Sequence, residues 1–480
     1  MNYGVIRFVM GWIIRVEGIF LLLPWFIGII YKETSSRYFL LCAVVALIFG
    51  VFLTRKKPDK KSFYAREGFI TVALGWIVMS FIGAMPFYLS GEIPSFIDAM
   101  FEIISGFTTT GASILSDVEA LSKCMLFWRS FSHWLGGMGV LVFVLTILPM
   151  AGGESMYFMR AESPGPSVSK LVPKIRKTAK ALYLIYIGLM MIEIFLLVIG
   201  KMPVFDAVCL SFGTAGTGGF GLLNSSIASY TLYQQIVITI FMMLFGVNFA
   251  FYFLILMKKP KEAFGIQEVR WYLGIYGTVS LLITLNLTLT GKEGFFTNLH
   301  QATFQAASVM TTTGYSTVNF DLWPEFSKLL LVVLMFIGAC AGSTGGGIKV
   351  SRILIYLKTI KKELSYLVHP RSVKILRMDG KKIEHEVIRS ANVFLCTYVI
   401  VFFLSMILIS LDGFNYETNF TAVAATLNNI GPGLSAVGPA ENFGGFSNLS
   451  KIVLSFDMLA GRLELFPMLL LFLPSTWKRK

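Results

Sequence analysis

The chain has 480 residues, of which 55% are hydrophobic and only 14% charged, and its mean hydropathy is +0.71. That balance excludes a soluble domain of this size and makes the chain a polytopic membrane protein. The formal charge of +14 is gathered into a few connections, so it reads as an orientation signal and not as a nucleic-acid footprint.

At about 20 apolar residues per crossing, spanning helices are predicted near 6–30, 38–54, 68–90, 124–149, 179–199, 233–257, 272–290, 327–358, 391–411 and 449–474, ten in all. The first runs on through Leu21-Leu22-Leu23-Pro24-Trp25 without a small-residue cleavage site, which makes it a retained helix and not a signal peptide. Four apolar segments between these helices are too short to span: Ser95 to Thr108, Pro203 to Gly213, Phe296 to Met310 and Tyr416 to Asn428. Segments of that length are expected to re-enter, and they read as pore helices descending from the outer face.

Each short segment runs into a turn that ends in glycine: Thr109-Thr110-Gly111, Thr217-Gly218-Gly219, Thr312-Thr313-Gly314 and Asn429-Ile430-Gly431. The glycines at 111, 219, 314 and 431 are separated by 108, 95 and 117 residues. This spacing predicts an all-α fold of four tandem helix–pore-loop–helix repeats in pseudo-fourfold arrangement around one pore, behind an N-terminal two-helix hairpin. The expected limits are 1–60 for the hairpin, then 61–150 (pore loop near 95–113), 151–258 (203–221), 259–370 (296–316) and 371–480 (416–433).

A descending pore helix aims its C-terminal end, equivalent to about half a negative charge, at the bilayer middle, where a dehydrating cation is stabilised and an anion is not. Glycine is needed because successive carbonyls point the same way only where a residue takes positive φ. The carbonyls of Thr110, Gly218, Thr313 and Ile430 are the candidate ion ligands.

Basic residues crowd into Arg55 to Arg66, Arg160 to Lys180, Lys258 to Arg270, Arg352 to Arg389 and Lys478-Arg479-Lys480. These are expected to face the cytoplasm together with both termini. The turn-bearing segments instead carry acids (Glu92, Asp98, Asp117, Glu119, Asp321, Glu325) that would concentrate cations at an outer mouth.

The eighth helix is interrupted by Gly338-Ala339-Cys340-Ala341-Gly342-Ser343-Thr344-Gly345-Gly346-Gly347-Ile348-Lys349. At about 1 kcal/mol per glycine relative to alanine, continuous helix is improbable. A phosphate-binding loop is excluded because Lys349 does not follow Gly347 directly and no strand precedes the run. A small-residue helix-packing face and a mobile plug at membrane depth remain. Arg462 in the tenth helix lies roughly 20 Å below its start at 1.5 Å per residue. At that depth it either pairs with Asp457, Glu464 or another buried acid or faces a wet cavity. Arg15, Glu17, Glu102 and Glu193 read as buried structural partners, and His133 as a hydrogen-bonded packing residue in preference to a proton relay. Five scattered cysteines (Cys42, Cys124, Cys209, Cys340, Cys396) suggest neither disulfides nor a metal site. No catalytic cluster of His, Asp or Cys is evident, so an enzyme is not expected. A secondary active carrier for another small solute or for sodium is the alternative to a channel-like protein, although carriers of that class usually show two inverted halves.

These motifs resemble those of the Trk/Ktr/HKT superfamily of potassium transporters, most closely its bacterial TrkH branch, over nearly the whole chain. Ser105-Gly106-Phe107-Thr108-Thr109-Thr110-Gly111-Ala112-Ser113 is similar to the first filter of that family, Thr312-Thr313-Gly314-Tyr315 to the third and Asn429-Ile430-Gly431-Pro432-Gly433 to the fourth. The second, Thr217-Gly218-Gly219-Phe220-Gly221, departs through its additional glycines. The resemblance implies potassium uptake across the bacterial inner membrane, with the transported ion at the four carbonyls and no organic cofactor. It also implies one pore per chain, a homodimer and a cytoplasmic TrkA-like ring of nucleotide-binding regulatory subunits. In that family the 338–349 loop is the intramembrane gate, here Gly342, Ser343, Thr344, Gly345, Gly346, Gly347 and Lys349, and an arginine at the position of Arg462 projects into the pore. A serine at the first filter glycine goes with sodium permeation in the family, so Gly111 favours potassium.

Overall fold

The computed structural model describes residues 2–58, 65–137, 139, 175–291, 293–371 and 374–477. The second half of the fourth expected helix, most of the Arg160 to Lys180 connection, part of the Arg55 to Arg66 connection and Lys478-Arg479-Lys480 lie outside the described residues.

The chain enters through α1 (Tyr3–Phe20) and α2 (Leu22–Ile30), then returns along α3 (Ser36–Thr54). Close approach of α1 and α3 depends on small residues, because a Cβ on Gly50 would come within 2.8 Å of the Gly11 carbonyl oxygen. Four units of like order follow. The first contains α4 (Ala65–Ser90), the short α5 (Phe96–Phe107) and α6 (Lys123–Gly137). The second contains α7 (Ile175–Ile199), short α8 (Val204–Gly216), and α9 (Leu232–Phe245) continued by α10 (Phe249–Leu256). After the small α11 (Pro260–Gly265) come α12 (Gln267–Leu289), short α13 (Phe295–Met310), α14 (Glu325–Phe336) and α15 (Val350–Val368). A two-residue hairpin, β1 (Arg377–Met378) against β2 (Lys381–Lys382), leads into α16 (His385–Ile409), short α17 (Tyr416–Leu427), α18 (Asn448–Arg462), α19 (Phe466–Leu470) and α20 (Pro474–Trp477).

Among the described residues, six helices are long and apolar enough to cross a membrane, and the α9–α10 pair makes a seventh if its 89° bend is one broken span. That bend corrects the expectation of a continuous helix over 233–257. The α9 ladder ends at Gly246, and the Asn248 side chain restarts helix by accepting from the Ala250 amide at 2.9 Å. The tenth helix is also broken where 449–474 was expected to be continuous. Pro467 has no N–H and its ring excludes a preceding helical turn, so the chain reverses at Glu464 and Leu465, both at positive φ, before α19. The eighth helix parts at Ile337 and resumes at Val350, with the glycine-rich stretch between the halves folded as a loop, which removes the reading of that stretch as a helix-packing face.

Candidate ion-conduction site

The four short helices end alike. At the end of α5, the Thr109 amide donates to the Gly106 carbonyl (3.1 Å) and Thr110 to Ser105 (2.9 Å). The same pair of bonds recurs as Thr217 to Thr214 and Gly218 to Gly213, Thr312 to Val309 and Thr313 to Ser308, and Asn429 to Thr426 and Ile430 to Ala425. Each is a Schellman cap, whose left-handed residue is usually glycine. Here Thr109, Thr217, Thr312 and Asn429 occupy it, at φ of 55°, 56°, 59° and 56°. Left-handed β-branched residues are conformational outliers that persist only where surrounding structure over-determines them. Two residues on, Gly111, Gly219, Gly314 and Gly431 also take positive φ (80°, 73°, 86°, 104°). Left-handed backbone at alternate positions turns consecutive carbonyls to one side.

The four turns form a closed ring. A Cβ added to Gly111 would fall on the carbonyl oxygen of Gly218, one on Gly219 on that of Thr313, and one on Gly314 on that of Ile430. One on Gly431 would come within 2.8 Å of the Thr110 oxygen, which closes the circuit from the fourth turn to the first. The four carbonyls singled out in the sequence are therefore the ones that face the neighbouring glycine, and all twelve turn residues except Gly111 and Gly314, which are partly buried, are buried.

Side chains behind the ring fix its register. Asn429 Nδ2 donates to Thr110 Oγ1 and to the Met458 carbonyl, both at 2.9 Å. Tyr315 Oη reaches the Leu210 carbonyl at 2.9 Å, tying the third turn to α8. His133 is fully buried, with Nδ1 2.8 Å from the Gly106 carbonyl and Nε2 accepting from the Phe220 amide at 3.3 Å, so it staples α5 to the second turn. Glu102 pairs with Arg129 at 2.5 Å and accepts from Ser113 Oγ and the Ile114 amide, while Arg129 donates to the Gly221 carbonyl at 2.9 Å. Arg15 stacks on Trp12 and is only half-buried, and Glu17 and Glu193 are fully enclosed.

The glycine-rich loop lies against the strained residues of the ring. The Gly346 amide donates to Thr312 Oγ1 at 2.6 Å, and a Cβ on Gly346 would come within 2.9 Å of Asn429 Cβ. Lys349 turns back on the loop, donating to the carbonyls of Gly345 and Gly346. Gly347 is at positive φ beside Gly338, where the Gly338 amide meets the Ile348 carbonyl at 2.9 Å. Gly342 and Ser343 sit farther from the ring: the Gly342 carbonyl accepts from the Phe249 amide at 3.1 Å, and Ser343 Oγ bonds the Cys340 carbonyl.

Arg462 closes the arrangement. Its guanidinium donates to the Thr344 carbonyl (2.9 Å), Thr109 Oγ1 (3.2 Å), the Gly137 carbonyl (2.9 Å) and the Gly136 carbonyl. Of the acids considered as its partners, Asp457 accepts from Ser405 Oγ at 2.7 Å and Glu464 pairs with Arg352 at 2.6 Å. Two residues escaped the sequence reading. Glu268 accepts from the amides of Ala341 (2.6 Å) and Ser351 (3.0 Å), clamping both ends of the loop, and Asn248 abuts Gly342. Nothing local marked Glu268, whose partners lie 73 and 83 residues away; for Asn248 the sequence Gly246-Val247-Asn248 was a readable helix break.

Re-entrant helices whose C-terminal caps converge on a ring of main-chain oxygens, inside a bundle of apolar helices, define a membrane transport protein of the cation-pathway class. The profile of the TrkH family, described as "Cation transport protein", matches residues 35–292 and 294–479, and the chain belongs to that family. It is 37% identical over 488 residues to the "Trk system potassium uptake protein TrkH" of Salmonella typhimurium and 36% identical over 485 residues to that of Escherichia coli K12, with 100% of each chain covered. An uncharacterized cation transporter of Methanocaldococcus jannaschii is 32% identical over 97% of this chain and 94% of its own. The crystal structure of the potassium transporter TrkH from Vibrio parahaemolyticus superposes with a TM-score of 0.90 at 33% identity, covering 100% of both chains.

Proposed function

We propose that this chain takes up potassium through a backbone-carbonyl filter formed by residues 109–111, 217–219, 312–314 and 429–431. The observation that carries the reading is the closure of four equivalent turns into one ring, each glycine against the next turn's carbonyl. In it a bare monovalent ion exchanges its water for the oxygens of Thr110, Gly218, Thr313 and Ile430, with four helix C-termini adding negative potential. The threonine hydroxyls are spent on the protein, Thr108 with Thr110 at 2.8 Å and Thr311 with Thr313 at 2.7 Å, which leaves main-chain oxygens to the ion.

The 338–349 loop is the gate on this reading. It is fastened to Thr312, and Arg462 places a cation beneath a cation site while Lys349 donates to the loop's own carbonyls. Opening requires Arg462 to release the Thr344 carbonyl and Glu268 to release the Ala341 or Ser351 amide. On this reading the basic connections and both termini lie on the cytoplasmic side of a bacterial inner membrane, in keeping with the positive-inside rule. A homodimer and a nucleotide-binding regulatory ring, as the family resemblance implies, complete the system; Arg352, paired to Glu464 and lying 4.0 Å over the Phe394 ring at the inner end of the gate, is where such a ring would pull. The limits 1–60, 61–150, 151–258, 259–370 and 371–480 serve as the working division into hairpin and repeats.

The test is potassium against sodium flux in proteoliposomes, alongside growth of a potassium-uptake-deficient bacterium on limiting potassium. Rescue that vanishes with Gly314→Asp supports the filter. Equal sodium and potassium flux, or rescue unaffected by Gly314→Asp, refutes it.

A further inference from the structure

Away from the ion pathway, a groove of about 690 Å³ opens on the flank of the bundle between α12 and Lys358 in the middle of α15. Its upper wall is mainly apolar, formed by Ile275, Val279 and the space over Gly274, whose Cβ would meet nothing within 4 Å, with Thr278 as its one polar side chain. Its mouth is cationic, formed by Arg270 and Lys358, and beside them Trp271 stands half exposed. The order along α12 is thus charge, then indole, then hydrocarbon-like surface, which matches the order of headgroup, interface and acyl layer across one leaflet. From Gln267 to Val279 the helix rises roughly 18 Å, close to the roughly 15 Å of hydrocarbon in one leaflet.

The mouth is built. Lys358 Nζ donates to Gln267 Oε1 (2.6 Å) and to the Arg377 carbonyl (2.7 Å), which fixes the ammonium and leaves a third proton directed elsewhere. Arg270 spends one donor on the Gly265 carbonyl at 3.2 Å. The β1–β2 hairpin at this end carries Arg377, Lys381 and Lys382 against one carboxylate, Asp379, which accepts from the Gln267 amide at 2.8 Å and keeps its negative charge near Lys358. Cationic side chains thus outnumber the one carboxylate at the mouth and its hairpin, and a buried acyl chain alone would not call for that excess.

We infer that this groove is a site for an anionic diacyl phospholipid, its phosphate between Arg270 and Lys358 and one acyl chain along Gly274 to Val279. Basic pockets at the end of a helix bundle hold such headgroups by charge, and the acyl chain contributes by burial. The site stands independently of the potassium reading, since no ring or gate residue lines it. It touches the gate indirectly through Glu268, which directly follows Gln267 on α12 and clamps the loop.

The test uses the full-length protein reconstituted with brominated phosphatidylglycerol or brominated phosphatidylcholine, with the Trp271 emission isolated by subtraction of a Trp271→Phe protein. Phosphatidylglycerol is expected to quench Trp271 several-fold more than phosphatidylcholine at equal bromine content. The Arg270→Gln/Lys358→Gln protein should lose that preference while its phosphatidylcholine quenching is unchanged, and Gly274→Leu should reduce quenching by both lipids. Equal quenching by the two lipids, or a preference that survives the double charge replacement, overturns the proposal. So does abolition of the preference by millimolar inorganic phosphate at constant ionic strength, which would assign a free phosphate site. Efficient disulfide formation between two chains by Gly274→Cys in the membrane would assign the groove to a second copy and overturn it likewise.

Discussion

Alanine at Gly111 isolates what the ring requires, because the protein contains its own control. Gly111 and Gly91 share φ of +80°, so both substitutions carry the same left-handed penalty of about 1–2 kcal/mol, offset by about 0.4–1 kcal/mol from the stiffer unfolded chain. They differ in surroundings. A Cβ on Gly91 meets nothing within 4 Å, whereas one on Gly111 overlaps the Gly218 carbonyl, and Gly218 is itself backed by the His133 ring and cannot retreat. Overpacking of this kind costs a further 1–3 kcal/mol or so. The strain is relieved most easily by swinging one carbonyl out of the ring. If about 2 kcal/mol of ion discrimination depends on that oxygen, the potassium-to-sodium flux ratio falls roughly 30-fold, since each 1.4 kcal/mol or so is tenfold. Tracer uptake of rubidium and sodium into proteoliposomes, with thermal stability in detergent measured beside it, reads both quantities. Gly91→Ala should lower stability slightly and leave the ratio alone, and Gly431→Ala, with 2.8 Å to the Thr110 oxygen, should be the mildest of the four ring variants. A Gly111→Ala protein that matches Gly91→Ala in both measurements would refute the closed ring.

Arg462→Gln removes a charge and the tether between Thr344 and Thr109; if the guanidinium stands about 8 Å from a permeating ion, it opposes that ion by roughly 2 kcal/mol at an effective dielectric near 20. Flux without any regulatory partner should therefore rise by about an order of magnitude while the protein stays folded; unchanged flux would assign Arg462 to structure alone. Glu268→Gln weakens two charge-assisted bonds of 2.6 and 3.0 Å, and amide exchange at Ala341 and Ser351 should accelerate about tenfold or more with little change at the ring. Arg129→Met strands the buried Glu102 carboxylate and should cost about 3–5 kcal/mol of stability. Adding Glu102→Leu should recover part of that loss, so additive costs in the double variant would mean the two side chains act independently.

Three of the four short helices were legible to about a residue at each end, as with Tyr416 to Asn428 where Tyr416–Leu427 is found, because the Thr/Asn–Gly triplets close them; the second, expected over Pro203 to Gly213, runs on to Gly216. Stop signals of this kind are local, as were the glycines that interrupt the eighth helix. The break before α19 was equally local, since Pro467 marks it, and it was passed over because the surrounding leucines kept the segment apolar. The left-handed threonines could not be read from propensity. Threonine favours extended backbone, and only the fourfold crowding of caps and loop holds it at positive φ. Nor could a linear reading find Glu268 against the 338–349 loop, Arg352 with Glu464 or the order of the turns around the ring, because each is set by contacts between segments tens to hundreds of residues apart.

One polypeptide supplies all four walls of the ring, and this frees the walls from one another. In an assembly of four identical chains any substitution is copied into every quadrant, so a loop such as 338–349 would appear four times or not at all. Here a hinge in one quarter can face an arginine from another, and the slack at Gly431 relative to its three counterparts can persist as a private property of the last quarter. Covalent linkage thus lets selection adjust one side of the passage at a time.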